Sequence, residues 1–251
     1  VGRGERVGEV RPEPPLWVRC LPICKNSNAM KRSAVNSLIG EAIRFLDSSG
    51  FKLPEWGYWT REEWLKNRDR IGRVRELKLG WDITDFGSGD FPHKGLVLFT
   101  IRNGILNSAK YGKDYAEKIM IVRRDHLTPL HFHFHKMEDI IVRSGGRLTV
   151  KLWKSDAQEG LSKDRFSVLI DEFRHDLGPG DEITINPGQS INLEPRVYHE
   201  FRTPDVMVLL GEVSRVNDDE KDNRFFEPIS RFSKIEEDEP AKYYLCGEYP
   251  R

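Results

Sequence analysis

The residues best placed by type and spacing to do chemistry are His131-Phe132-His133-Phe134-His135 and the Glu138 that follows. Side chains of a β-strand alternate between its faces, so the three imidazoles share one face and Phe132 and Phe134 take the other. Gly145 stands seven residues beyond Glu138, and His199, on a later strand, is a candidate fourth ligand. Imidazoles and a carboxylate suit a borderline divalent ion such as Mn, Fe, Co, Ni or Zn, with positions left for water or substrate. The bland alternative is an aromatic strand with incidental histidines. Three at alternate positions beside a glutamate make metal binding the expected reading. His135 could cap the metal, face substrate or end the strand as a surface residue, and the last is preferred.

The elements that must hold these groups are legible in outline. From Ser33, the residues Val35, Leu38, Ile39, Ala42 and Leu46 recur at helical steps, and Ser48-Ser49-Gly50 ends the run. Thr60 and Glu63 form a capping box before Trp64, Leu65 and Ile71, which predicts a second helix. After Gly80 the pattern is β, with strands predicted over 95–101, 117–122, 130–134, 139–142, 147–152, 166–170, 182–185, 190–193, 199–202 and 206–213. Turn residues such as Gly145-Gly146, Gly178-Pro179-Gly180 and Pro187-Gly188 separate them. Short strands without intervening helices predict an all-β antiparallel sandwich or barrel. The segment 214–251 is charged, with 236–239 read as a solvated acidic face. Its Phe225, Phe226, Phe232, Tyr243, Tyr244 and Leu245 are expected to bring it back onto the barrel.

Composition excludes several functions. Lys and Arg number 40 against 40 Asp and Glu, so the basic excess of a nucleic-acid binder is missing. Apolar runs such as 206–210 are strand-sized, far short of a membrane span. With 13 Phe and 6 Trp the chain can build a core. Its 3 Cys make no disulfide framework and point to a reducing, cytoplasmic compartment. Cys20 and Cys24 have no nearby Cys/His pair to complete a structural zinc site. Ser27-Asn28-Ala29-Met30 reads as a protease-cleavage scar before a start methionine. Residues 1–29, with Pro12, Pro14, Pro15 and Pro22, are therefore expected to be an added leader or a disordered extension. A single domain is expected over 30–251, with a helical part at 30–80, a barrel at 81–213 and a wrapping tail at 214–251.

The spacing His131-x-His133-x4-Glu138-x6-Gly145 resembles the first cupin motif and fits it without a gap. The second motif is matched in part. Gly180-Asp181 and Pro187-Gly188 occupy its turns and His199 its ligand position, but Glu194 and Arg196 stand where its proline and glycine belong. Residues 30–34 and 128–141, with Phe51-Lys52-Leu53-Pro54, Gly80-Trp81-Asp82-Ile83-Thr84-Asp85-Phe86-Gly87, Gly211-Glu212-Val213-Ser214 and Asp222-Asn223-Arg224-Phe225, resemble the D-lyxose ketol-isomerase family. The resemblance spans 30–251. It implies a cupin-type antiparallel barrel, or jelly roll, in a homodimer. It also implies a manganese-dependent interconversion of D-lyxose and D-xylulose, with D-mannose and D-fructose as a second pair. Its metal ligands fall on His131, His133, Glu138 and His199, where spacing had put them. Mn²⁺ is the expected ion, with Zn²⁺, Co²⁺ or Fe²⁺ as alternatives.

Such a reaction moves a proton between adjacent carbons and needs a base within reach. Lys136 lies between two candidate ligands, where desolvation or a neighbouring cation would lower its pKa; otherwise it is a solvated turn lysine. Glu212 shares a strand face with Val208 and Leu210, and a carboxylate buried there needs a partner. It is the better candidate base, with a structural ion pair as its alternative. Asp222 and Arg231 are expected to meet sugar hydroxyls, with Trp81 or Phe134 available to cover an apolar ring face. Two other readings stay open: an Fe(II)-dependent cupin oxygenase and a non-catalytic sugar-binding cupin.

Overall fold

The structure, a computed structural model, describes residues 29–216, 218, 219 and 221–250. Of the expected leader 1–29, residues 1–28, with Cys20 and Cys24, lie outside them, while Ala29 is described and, contrary to that expectation, pairs with Lys234 in a short sheet. In chain order the elements are β1 (Ala29–Lys31), α1 (Arg32–Ser48), α2 (Arg61–Lys66), α3 (Gly72–Glu76), β2 (Gly80–Thr84), β3 (Leu96–Arg102), β4 (Tyr115–Val122) and β5 (Leu127–His133). They continue with β6 (Glu138–Gly145), β7 (Leu148–Lys154), β8 (Phe166–Ile170), β9 (Phe173–Leu177), β10 (Glu182–Ile185) and β11 (Ser190–Leu193). Last come β12 (Val197–Arg202), β13 (Val208–Arg215), β14 (Asn223–Phe225) and β15 (Lys234–Glu236).

Two antiparallel sheets carry the site. One has eight strands in the order β2-β3-β4-β13-β6-β11-β8-β9, the other five in the order β10-β7-β12-β5-β14. They enclose one apolar core, to which the first gives Leu98, Met120, Ile140, Val208 and Leu210 and the second Val150, Leu152 and Phe201. This is the expected jelly roll. The outer face of the large sheet is also covered, since Val97, Phe99, Ile119, Ile121 and Leu209 pack against Val35, Ile39, Ala42 and Leu46 of α1. Burial on both faces makes 96–99 and 119–122 read as unbroken apolar runs rather than alternating ones. Each such side chain contributes about 1.5–3 kcal/mol on leaving water.

The predicted capping box is present, with Thr60 N–H donating to the Glu63 carboxylate at 2.7 Å and Glu63 N–H to Thr60 Oγ1. The helix is shorter than expected, because the Asn67 amide donates to the Glu63 carbonyl at 2.9 Å and competes with the next helical turn. Ile71 instead precedes α3 and packs with Trp64 and Tyr249. The tail does wrap back: β15 runs parallel to β1, and Leu245 bridges Trp81 of β2. The acidic run expected to be a solvated face does more than that. Glu237 binds the buried Arg32 at 2.6 Å, Asp238 accepts from Ser33 and Glu239 from Asn36, so the run clamps the start of α1. Gly145 sits at φ +89, where an added Cβ would lie 2.2 Å from the Met207 carbonyl oxygen. The motif's glycine is therefore required by backbone approach. Among the described residues no helix is long and apolar enough to cross a membrane.

Candidate active site

At one end of the core the inward-facing positions turn polar. Lys118 shares the face of Met120 and Val122 on β4, Glu212 that of Val208 and Leu210 on β13, and Glu138 that of Ile140 and Val142 on β6. Register sets them side by side, with Glu212 opposite Lys118 and Ser214 opposite Glu138. From the facing sheet come His131 and His133 on β5 and His199 on β12, with His199 directly opposite His131. Every one of these side chains is buried.

The three histidines offer ring nitrogens that all lie within 4.8 Å of one another. His131 Nδ1 is 2.7 Å from the Pro129 carbonyl and His199 Nδ1 is 3.0 Å from that of Val197. A carbonyl accepts only from N–H, so both rings carry the proton on Nδ1 and aim lone pairs from Nε2. Those two Nε2 atoms face each other at 3.1 Å, an arrangement without a proton to share. Both ring nitrogens of His133 are buried with no hydrogen-bond partner. Glu138 Oε1 completes the set, 3.4 Å from His133 Nε2 and 3.3 Å from His199 Nε2. Converging lone pairs, an unpartnered imidazole and an anion form a donor set that a divalent cation would satisfy. The His131 and His199 rings are held neutral to match. Burial, then the neighbouring imidazoles, pushes His131 well down, and burial pushes His199 down to about 4.

Beside the imidazoles runs a chain of charges. Lys136 Nζ lies 2.6 Å from Glu138 Oε2 and 2.9 Å from Glu212 Oε1. Glu212 Oε1 also accepts from Ser214 Oγ at 3.0 Å and stands 3.7 Å from Lys118 Nζ. Burial works to raise the Glu212 pKa, but Lys118 and then Lys136 outweigh it and hold the carboxyl below its usual range. The expected lowering of Lys136 is not what its protein neighbours produce. Burial would depress it, yet Glu138 and Glu212 outweigh burial and raise it.

The C-terminal segment closes this end. Arg231 Nη2 binds Asp82 at 2.8 Å and Asp219 at 3.2 Å, while its Nη1 is buried without a partner. The side chain lines an inner cavity of about 50 Å³ together with the imidazoles, Lys118, Lys136, Glu138 and Glu212. Asp222 spends its two carboxylate oxygens on the backbone N–H groups of His135 and Lys136, at 2.8 and 3.0 Å, and so fixes the loop that presents Lys136. His135 is exposed at the strand end, on the wall of an outer cleft of about 640 Å³. Lys136 and Asp219 line both spaces, so the cleft leads to the charged chain.

Trp81, available in principle to cover a sugar ring, faces the other way: its indole donates to the Gly57 carbonyl at 2.9 Å within the core under α1. Phe134 packs on Phe132 at 5.0 Å, outside the cavity, and the aromatic lining comes from Phe86 and Phe201. The irregular second motif has a local explanation. Arg196 takes φ +65, the left-handed conformation a glycine would adopt, and its guanidinium lies 5.3 Å from the Phe132 ring centre. Its N–H donates to the His133 carbonyl at 2.8 Å, tying the turn before His199 to the ligand strand. Sequence reasoning missed Lys118, Asp82 and Asp219. The signal that found Glu212, a charge on the core face of an apolar strand, was equally present at Lys118.

Two facing antiparallel sheets with inward imidazoles near one end define a cupin-like fold, and solved sugar isomerases share it. L-ribose isomerase of Acinetobacter sp. DL28 in complex with L-ribose superposes with a TM-score of 0.56 at 14% identity, over 83% of this chain and 99% of that one. The Cellulomonas parahominis enzyme with L-ribose gives 0.54 at 14% identity, with the same coverage. Sequence is more specific. A profile of the D-lyxose isomerase family matches residues 30–249. D-lyxose/D-mannose isomerase of Serratia proteamaculans is 45% identical over 225 residues, spanning 88% of this chain and 99% of that protein. The Escherichia coli O157:H7 protein of the same name is 44% identical over 223 residues, spanning 88% and 98%. The chain belongs to the D-lyxose isomerase family and is a sugar isomerase.

Proposed function

We propose that this enzyme is a metal-dependent aldose-ketose isomerase that interconverts D-lyxose and D-xylulose, and D-mannose and D-fructose, by proton transfer through a cis-enediol. The observation that carries the reading is the donor set of His131, His133, His199 and Glu138 adjoining the buried Lys136–Glu212 pair. Both relatives above are named for D-lyxose and D-mannose. A divalent cation, Mn²⁺ first and Zn²⁺, Co²⁺ or Fe²⁺ next, would be held by these four residues and would polarise the two sugar oxygens as a Lewis acid.

Glu212, kept ionised by Lys118 and Lys136, takes the proton from the carbon beside the carbonyl and returns it to the neighbouring carbon. Lys136, protonated between two carboxylates, gives a proton to the carbonyl oxygen as the enediol forms and takes one back from the neighbouring hydroxyl as the new carbonyl forms, so the oxygens exchange one proton as the carbons do. Arg231 offers its unpartnered Nη1 to a sugar hydroxyl, and such a buried donor rewards only a ligand that accepts from it. Asp222 serves substrate from behind, by holding the Lys136 loop. A homodimer in the cytoplasm belongs to the same reading, and the sparse cysteines fit a reducing compartment.

The test is anaerobic incubation of metal-replete enzyme with D-lyxose, followed by separation of the products. D-xylulose should accumulate. A requirement for dioxygen would instead indicate the oxygenase, and binding of pentose without conversion would indicate a sugar-binding module.

A further inference from the structure

Strand β9 ends the eight-stranded sheet, and its Phe173, Arg174, His175 and Asp176 are exposed. Phe173, at 74%, is the most exposed large apolar side chain among the described residues. The opposite edge, β2, is covered by the tail through Leu245, but among the described residues no segment pairs with the free edge of β9. Edge strands are commonly protected by proline, by charged side chains or by a bulge. Phe-Arg-His-Asp-Leu has no proline, its charges Arg174 and Asp176 are of opposite sign and so do not repel a like edge, and its pairing with β8 runs unbroken from Phe166 opposite Leu177 to Ile170 opposite Phe173.

Asp171 and Glu172, at φ 48 and 68, form a two-residue turn of the hairpin type. In such a hairpin the flanking Ile170 and Phe173 are hydrogen-bonded to each other. Arg174 and Asp176 then direct their amides and carbonyls away from β8, toward the open edge. We propose that β9 pairs antiparallel with β9 of a second copy of this chain, about a two-fold axis at His175.

The sequence of the edge is complementary to itself in that register. Arg174 faces the partner's Asp176, and Asp176 faces the partner's Arg174, so the pairing is satisfied twice. Phe173 lies on the same strand face as the buried Leu177. Its place opposite the partner's Leu177 would extend the core face across the junction and remove the exposed ring from water. Within one chain Arg174 Nε already meets Asp176 Oδ1 at 2.9 Å. Such an exposed pair is weak and exchanges for the intermolecular one at little cost. The inference rests on the homodimer reading and adds the surface that makes it.

Sedimentation equilibrium over a wide concentration range tests it, with Arg174→Asp and Asp176→Arg as separate variants. Both sites are exposed, so circular dichroism and sugar turnover should match wild type. The wild type should dimerise, and each variant should dimerise at least ~10-fold more weakly because two like-charge contacts face each other across the axis. An equimolar mixture should recover the dimer, since the two aspartates of one variant's edge then face the two arginines of the other's. A dimer that neither substitution weakens would overturn the β9 surface while leaving the homodimer in place. Weakening without rescue in the mixture would overturn the antiparallel register. A wild type that stays monomeric would overturn both the surface and the homodimer reading.

Discussion

Replacing Glu212 by Gln separates the proton-transfer role from metal binding. The side chain is buried, its Oε1 receives Lys136 Nζ at 2.9 Å and Ser214 Oγ at 3.0 Å, and Lys118 Nζ lies 3.7 Å away. Glutamine keeps an acceptor for Lys136 and Ser214 but removes the negative charge that the two buried ammonium groups share. Neither is left without an anion, since Lys136 keeps Glu138 at 2.6 Å and Lys118 keeps Asp219 at 3.7 Å. The stability cost is therefore that of weakening a charged hydrogen bond, about 1.5–3 kcal/mol, rather than that of abandoning a buried ion. In a domain of this size that corresponds to a fall in Tm of roughly 3–12 °C. The effect on turnover should be larger, because an amide cannot accept the migrating proton: kcat should drop by about 10²–10⁴, the scale of a general base. Glu212 touches the lysines and not the imidazoles, so metal content by elemental analysis should stay that of wild type. Steady-state kinetics with D-lyxose, metal analysis and thermal melts on one preparation give all three quantities. Near-normal kcat with metal retained would remove Glu212 from the chemistry.

Two further outcomes follow from the same geometry. His133→Ala should lose metal and activity together while remaining folded, because its two ring nitrogens have no protein hydrogen-bond partner to forfeit; metal analysis and turnover check this. His126, buried edge-on against Phe91 at 4.9 Å, is pushed down to about 4 from 6.5 by burial and then by Arg123. Above pH 6.5 it is neutral both folded and unfolded, whereas between 6.5 and 4 only the unfolded chain takes the proton. Stability should thus fall as pH drops through that window and level below it, by about 2 kcal/mol after screening is allowed for. Urea unfolding of wild type and His126→Leu at neutral pH and near pH 4 should show the smaller acid loss in the variant, and equal losses would refute the assignment.

Much of the site was legible because strand periodicity is strict. Alternation from His131 to His133 and along 208–212 put these two imidazoles and Glu212 inside, and the structure brings them to one end of one core, whereas His135 lies past the end of β5 and is exposed. Lys118 carried the same local signal as Glu212, but its place beside Glu212 and Asp219 became apparent only through register and loop closure, since nothing in the local pattern says which strand lies beside β13. Strand β9 was missed because Asp171-Glu172 is not a common left-handed turn pair and four of the five strand residues are exposed, so no apolar alternation marks it. Strands β1, β14 and β15 are three residues each and exist through long-range pairing, out of reach of a local window. The sign of the Lys136 shift likewise depended on two carboxylates, Glu138 and Glu212, the second of which is distant in sequence. The acidic run 236–239 looked like a solvated face because its partners lie more than 200 residues away on α1.

The central claim is that His131, His133, Glu138 and His199 hold a divalent cation on which sugar isomerisation depends. Its most direct test is exhaustive dialysis against chelator, measurement of D-lyxose turnover, and titration with Mn²⁺ under anaerobic conditions. Activity should fall to background with the fold intact by circular dichroism and return in proportion to Mn²⁺, saturating at one ion per chain. Full turnover in protein shown by elemental analysis to hold no metal would contradict it.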